Sequence, residues 1–181
     1  MEIITVSNVA PYKQQEMVIR ALPSVLQQSG LQALVYRIVG NCAPAYADHL
    51  RRVASGLGVA DNVVLEGRVS RLRIEELFSR ARCFVLMSKC ESFGLPAIEA
   101  MTFGTPVVAA DCCAIPEVCG SAALLSPMRD VRTLSENMIR VLTDATLAER
   151  LREAGALRLT QFSWTRSAER LASSVEDATR H

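Results

Sequence analysis

Apolar residues follow two alternating rhythms along this chain. Short runs rich in β-branched residues predict strands at Ile3 to Ser7, Ala33 to Val39, Val63 to Leu65, Cys83 to Met87, Pro106 to Ala109 and Ala123 to Leu125. Between them, Gln14 to Gln28, Tyr46 to Gly56, Ile74 to Ala81 and Pro96 to Phe103 carry helical spacing, with a short turn near Pro116 to Cys119. The run Cys83-Phe84-Val85-Leu86-Met87 is apolar on both faces, as a strand buried between two helix layers must be. Strand and helix alternating at this spacing predict an α/β domain built on a doubly wound parallel sheet of about six strands. Helices from Arg132 to Thr143, Leu147 to Arg158 and Thr165 to Ala178 close the chain. No linker, repeat or low-complexity segment divides it, so 1–181 reads as one domain.

Composition narrows the function classes. Half of the 181 residues are hydrophobic and 22% are charged, which excludes a disordered chain. A net charge of +1 offers no basic field to nucleic acid. No apolar stretch approaches the ~20 residues of a membrane span, and the start lacks the basic segment and cleavage site of a leader. The expected location is therefore cytoplasmic, or the cytosolic face of a membrane. The six cysteines form no C-x-x-C pair, and His49 and His181 lie near none of them in sequence. Clustered soft ligands for zinc are missing, and the cysteines read as reduced structural thiols; the vicinal Cys112-Cys113 reads as buried small apolar residues in preference to a redox-active pair.

In a doubly wound sheet, ligands bind beyond the carboxyl ends of the strands. The loop after the fourth predicted strand is the richest, running from Ser88 through Glu91, Phe93, Gly94, Leu95 and Pro96 to Glu99. Pro96 suits a first helical turn and Gly104 a helix stop, leaving the Phe93, Gly94 and Leu95 amides free at a helix N-terminus that favours an anion. Glu99, one turn in, is placed to accept a ribose diol, and Glu91 to reach another part of the same ligand. The competing reading makes Glu99 a dipole-favoured surface residue and Glu91 a loop charge.

Of 20 basic residues only Lys13 and Lys89 are lysines, and both fall in loops at this edge, where a compact charge suits phosphate. Arg68, after Gly67, is either a phosphate fork or an ordinary surface arginine on a turn. The chain lacks a G-x-G-x-x-G fingerprint after its early strands, a phosphate-binding G-x-x-x-x-G-K-[ST] loop, a D-x-D metal motif and a G-x-S-x-G elbow. A diphosphate would thus be neutralised by Lys13, Arg68 and the helix N-terminus, without a metal or other cofactor.

The ordered set Glu91-Ser92-Phe93-Gly94-Leu95-Pro96-Ala97-Ile98-Glu99-Ala100-Met101, Gly104-Thr105-Pro106-Val107-Val108-Ala109, Ile115-Pro116-Glu117-Val118 and Phe162-Ser163-Trp164 resembles the E-x7-E family of group 1 (family 4) retaining glycosyltransferases. The resemblance implies a Rossmann-like half of a GT-B fold that binds the nucleotide-sugar donor. It implies ribose binding by Glu99, sugar contact by Glu91, and amides from Phe93, Gly94 and Leu95. Lys13 would hold the diphosphate, and the Arg68-Val69 turn would lie near the base. Glu91 and Lys13 would flank the reacting bond. Asn8 stands where the family often has an arginine, and Cys113-Ala114 where it has a glycine pair.

The resemblance also implies that an N-terminal acceptor-binding domain, outside these 181 residues, completes the enzyme, with the last helix crossing back toward it. Its acceptor is expected to be membrane-associated in some members. The rival reading is a non-catalytic nucleotide- or phosphate-binding module of the same fold. A third is a purely structural domain.

Overall fold

The computed structural model describes residues 1–179; His181 lies outside the described residues. The chain alternates β1 (Glu2–Val6), α1 (Gln15–Ser29), β2 (Val35–Val39), α2 (Pro44–Gly56), β3 (Val63–Gly67), α3 (Arg71–Arg80), β4 (Cys83–Leu86), α4 (Leu95–Thr102), β5 (Val107–Ala110), α5 (Ile115–Cys119) and β6 (Ala123–Ser126). Helices α6 (Val131–Thr143), α7 (Ala145–Leu159) and α8 (Trp164–Thr179) follow. The strands form one sheet in the order β3-β2-β1-β4-β5-β6, with every adjacent pair parallel. The doubly wound sheet read from the sequence is therefore present, and its order reverses between β1 and β4.

Alternate side chains of each strand enter different layers, because successive residues of a strand point to opposite faces. Ile3, Val85 and Val108 pack with Val18, Leu22, Leu50, Leu134 and Met138 of α1, α2 and α6. Ile4, Phe84 and Val107 pack with Leu77, Phe78, Ala97, Met101 and Ile115 of α3, α4 and α5. Two-sided burial is why these strands read as unbroken apolar runs. Thr5 Oγ1 meets Tyr36 Oη at 2.9 Å and donates to the Val85 carbonyl at 2.7 Å, tying β1 to both neighbours.

Element ends differ from the sequence reading where caps decide them. Helix α3 begins at Arg71 rather than Ile74, because Ser70 Oγ accepts from the Arg73 amide at 3.2 Å. Helix α2 begins at Pro44 rather than Tyr46, proline being suited to a first turn whose N–H has no partner. Among the described residues, no helix is long and apolar enough to cross a membrane. The apolar Leu171 and Val175 of α8 are exposed.

The thiol expectation is partly overturned. Cys83 and Cys119 are buried and free, as anticipated. Cys90 and Cys113, however, form a disulfide with Cα atoms 5.5 Å apart, and Cys112 is only half-buried. The two partners stand 23 positions apart in sequence, so no short motif announces them. They meet because β4 and β5 are adjacent and their exit loops converge at the same sheet edge.

Candidate functional site at the carboxyl edge

The loops after β1, β4 and β5 converge beside the point where strand order reverses, and Arg71 of α3, the helix after β3, reaches α4 from the side. The loop after β1 is held in place by Gln15, 1% exposed, whose Nε2 donates to Ser7 Oγ at 3.1 Å and to the Asn8 carbonyl at 3.0 Å. Gly40, at φ +142°, lets the next loop press against it: a Cβ there would lie 1.8 Å from the Ser7 carbonyl oxygen. The β1 loop then turns through Pro11–Lys13 in one short 3-10 turn. Lys13 Nζ reaches Glu91 Oε1 at 2.5 Å, with both side chains largely shielded. Lys13 also lies over the Tyr12 ring, 5.3 Å from its centroid.

On the other side of Glu91 the chain enters α4. Gly94 is the N-cap residue, in the left-handed region at φ +88°, with Pro96 in the first turn. The Phe93, Gly94 and Leu95 amides donate to no carbonyl among the described residues, so three donors stand free at the positive end of the helix. Glu99 is half-exposed, and Arg71 Nη1 donates to its Oε1 at 3.1 Å. Hydrogen bonds to Glu75 and then Glu99 hold the Arg71 guanidinium above its ordinary pKa. The loops after β4 and β5 are fastened twice more, by the Cys90–Cys113 link and by the Ala114 amide donating to the Glu91 carbonyl at 3.3 Å.

The structure therefore brings Lys13, Glu91, Phe93, Gly94, Leu95 and Glu99 to one edge. Arg68 is exposed in the β3–α3 turn with no ion pair among the described residues, and Val69 packs beneath it against the second core layer. Asn8 is exposed, and it is its backbone carbonyl that the Gln15 amide engages.

Sequence reasoning missed Arg71, the cation that meets Glu99. The helix-capping Ser70 immediately before it was the available signal, since that cap begins α3 at Arg71 and carries its side chain toward α4. Phe162 was read only as part of a motif. Its ring packs edge-on against Phe93 at 5.5 Å and lies under the Arg158 guanidinium, which buttresses the α4 loop. Both glutamates of the E-x7-E pattern thus face a cation of the chain itself. An incoming polar ligand must exchange with these pairs. Among the described residues, no group of three or more His, Cys, Asp or Glu side chains is arranged to hold a metal ion.

An open parallel sheet with free amides and matched charges at its switch point defines a doubly wound domain of the kind that binds ligands at this edge. Solved structures of other proteins share that fold. Anabaena HepE, solved with UDP and glucose, superposes with a TM-score of 0.85 over 97% of this chain and 48% of that one, at 22% identity. The sucrose-phosphate synthase of Thermosynechococcus elongatus gives 0.82 over 99% of this chain and 45% of that one, at 24% identity.

Residues 1–158 match the family model described as glycosyl transferases group 1, and the chain belongs to that family. Its relatives include the Escherichia coli O-antigen chain mannosyltransferase B, 40% identical over 88 residues that cover 49% of this chain and 23% of that protein. They also include the D-inositol 3-phosphate glycosyltransferase of Mycolicibacterium smegmatis, 30% identical over 96% of this chain and 39% of the relative. The chain spans less than half the length of these curated relatives.

Proposed function

We propose that this chain is the donor-binding domain of a retaining glycosyltransferase and takes a nucleoside-diphosphate sugar at the edge described above. The observation that carries the reading is the grouping of Glu91, the three free amides of Phe93, Gly94 and Leu95, and Glu99 around the start of α4, with Lys13 seated on Glu91. The α4 N-terminus and Lys13 suit a diphosphate, by dipole and by charge. Glu99 suits the ribose diol, leaving the turn at Arg68-Val69 for the base and Glu91 for the hydroxyls of the sugar. The solved structures of HepE, which has this fold, hold UDP or UDP-glucose, which supports a nucleotide sugar as ligand.

On this reading the chain's share of catalysis is electrostatic. As the glycosidic bond to the diphosphate breaks, negative charge grows on the leaving oxygens. The fixed amides and Lys13 Nζ meet that charge without reorganising. Lys13 must first leave Glu91, and Glu91 is then free to accept from the sugar. Transfer with retention, a metal-free diphosphate site, an acceptor-binding domain completing the cleft, an acceptor at the cytosolic face of a membrane and a cytoplasmic location all belong to this proposal. The exposed Leu171 and Val175 on α8 agree with a helix that packs on that further domain.

The test is a thermal-shift series with UDP, GDP, ADP and CMP, without added metal, on the wild type and on Lys13→Ala and Glu99→Ala. A ligand at a hundred times its dissociation constant stabilises by about 2.7 kcal/mol. A shift with one nucleotide, lost in both variants, is the expected result. The absence of any shift would overturn the donor reading.

A further inference from the structure

The second lysine of the chain takes no part in the cradle above. Lys89 stands exposed just after β4, its amide donating to the Tyr12 carbonyl at 2.8 Å, so it is fastened to the same loop that carries Lys13. Beside it, Gln14 from the β1 exit and Met128 and Arg129 from the β6 exit enclose a cavity of about 300 Å³.

The charges of the two places differ. Lys13 and Arg71 are each matched by a carboxylate, whereas Lys89 and Arg129 enter no ion pair among the described residues. Two unmatched cations on one cavity repel each other until an anion joins them.

The backbone agrees. Only three described residues other than glycine have positive φ, and two of them, Gln14 at +54° and Arg129 at +66°, line this cavity. Side chains held in that region cost stability and gather at binding sites. Gln14 Oε1 is buried with no partner. The oxygen and nitrogen of a side-chain amide are interchangeable by a flip, so the amide can present N–H to an oxyanion there.

We infer that this cavity is an anion subsite that takes a phosphoryl group, gripped by Lys89 and Arg129 with Gln14 donating a hydrogen bond. The phosphoryl group has two possible sources, the diphosphate of the donor or a phosphate carried by the acceptor. Assigning it to either one rests on the donor reading above.

Calorimetry with inorganic phosphate on the 181-residue chain tests the site itself. The variants are Lys89→Met, which keeps the apolar stem, and Arg129→Asn, which tolerates the left-handed backbone. Saturable binding should weaken by roughly tenfold or more in the double variant, since two charge-assisted hydrogen bonds are lost. Repeating the titration with UDP saturating distinguishes the sources. Phosphate binding that persists assigns the cavity to the acceptor. Loss of phosphate binding, together with weaker UDP binding in the double variant, assigns it to the donor diphosphate.

No saturable phosphate binding overturns the inference, as does binding that the double variant leaves unchanged. A chain that ignores every nucleotide yet binds phosphate through Lys89 and Arg129 would refute the donor reading and keep the subsite.

Discussion

Gly94 is the residue on which the geometry of the α4 cradle turns, and Gly94→Ala tests that directly. Its backbone sits at φ +88°, and an added Cβ would lie 2.5 Å from Ile115 Cδ1, with the next atom, Ile115 Cγ1, at 3.9 Å. Two costs follow. Placing a Cβ in the left-handed region costs about 1–2 kcal/mol. Displacing Ile115 Cδ1, the far end of a flexible but fully buried side chain, adds up to about 1–3 kcal/mol.

The sum, roughly 2–5 kcal/mol, should lower the urea midpoint by roughly 1–2 M with the slope unchanged. Nucleotide affinity should fall with it, since the start of α4 must move off the β5 loop. Ile115→Val separates the two costs, because it deletes the clashing Cδ1 alone. By itself it costs about 0.5–1.5 kcal/mol. Combined with Gly94→Ala it should return about 1–2 kcal/mol of the clash and none of the backbone cost. Strictly additive single and double variants would refute the close-approach argument. A Gly94→Ala protein as stable as wild type would refute both halves.

Other outcomes follow from the same contacts. Lys13→Met strands the largely shielded Glu91 carboxylate and should cost about 1–3 kcal/mol in urea denaturation, while adding Glu91→Leu should recover most of it. Cys113→Ser should lower stability by about 3 kcal/mol in oxidising buffer, because the link closes a loop of sequence separation 23, and should have little effect in reductant.

The hydrogen bond with His49, and then the Arg20 pair, hold Glu16 below its ordinary pKa of 4.5. Its contribution is therefore complete above that value and is lost as pH falls through the lower folded value. Acid denaturation below pH 4.5 should accordingly be steeper in wild type than in Glu16→Gln, and equal slopes would remove the role assigned to that pair.

Much of this protein was legible in its sequence because the relevant signals are local. Two-sided apolar runs such as Cys83 to Leu86 are short enough for strands between helix layers, so the class of sheet followed from their length and their alternation with helical segments. The free amides at Phe93, Gly94 and Leu95 followed from a glycine and a proline set at a helix start. The pairings did not follow, because they join residues far apart in sequence that meet only when strand order places their loops together.

Lys13 meets Glu91 across the β1–β4 switch, Arg71 meets Glu99 because α3 lies beside α4, and Cys90 meets Cys113 across the β4–β5 edge. Residue types along the chain state which charges and thiols exist. The order of the strands decides which of them are within reach of one another, and hence which cations meet a carboxylate and which, like Lys89 and Arg129, have no ion pair among the described residues.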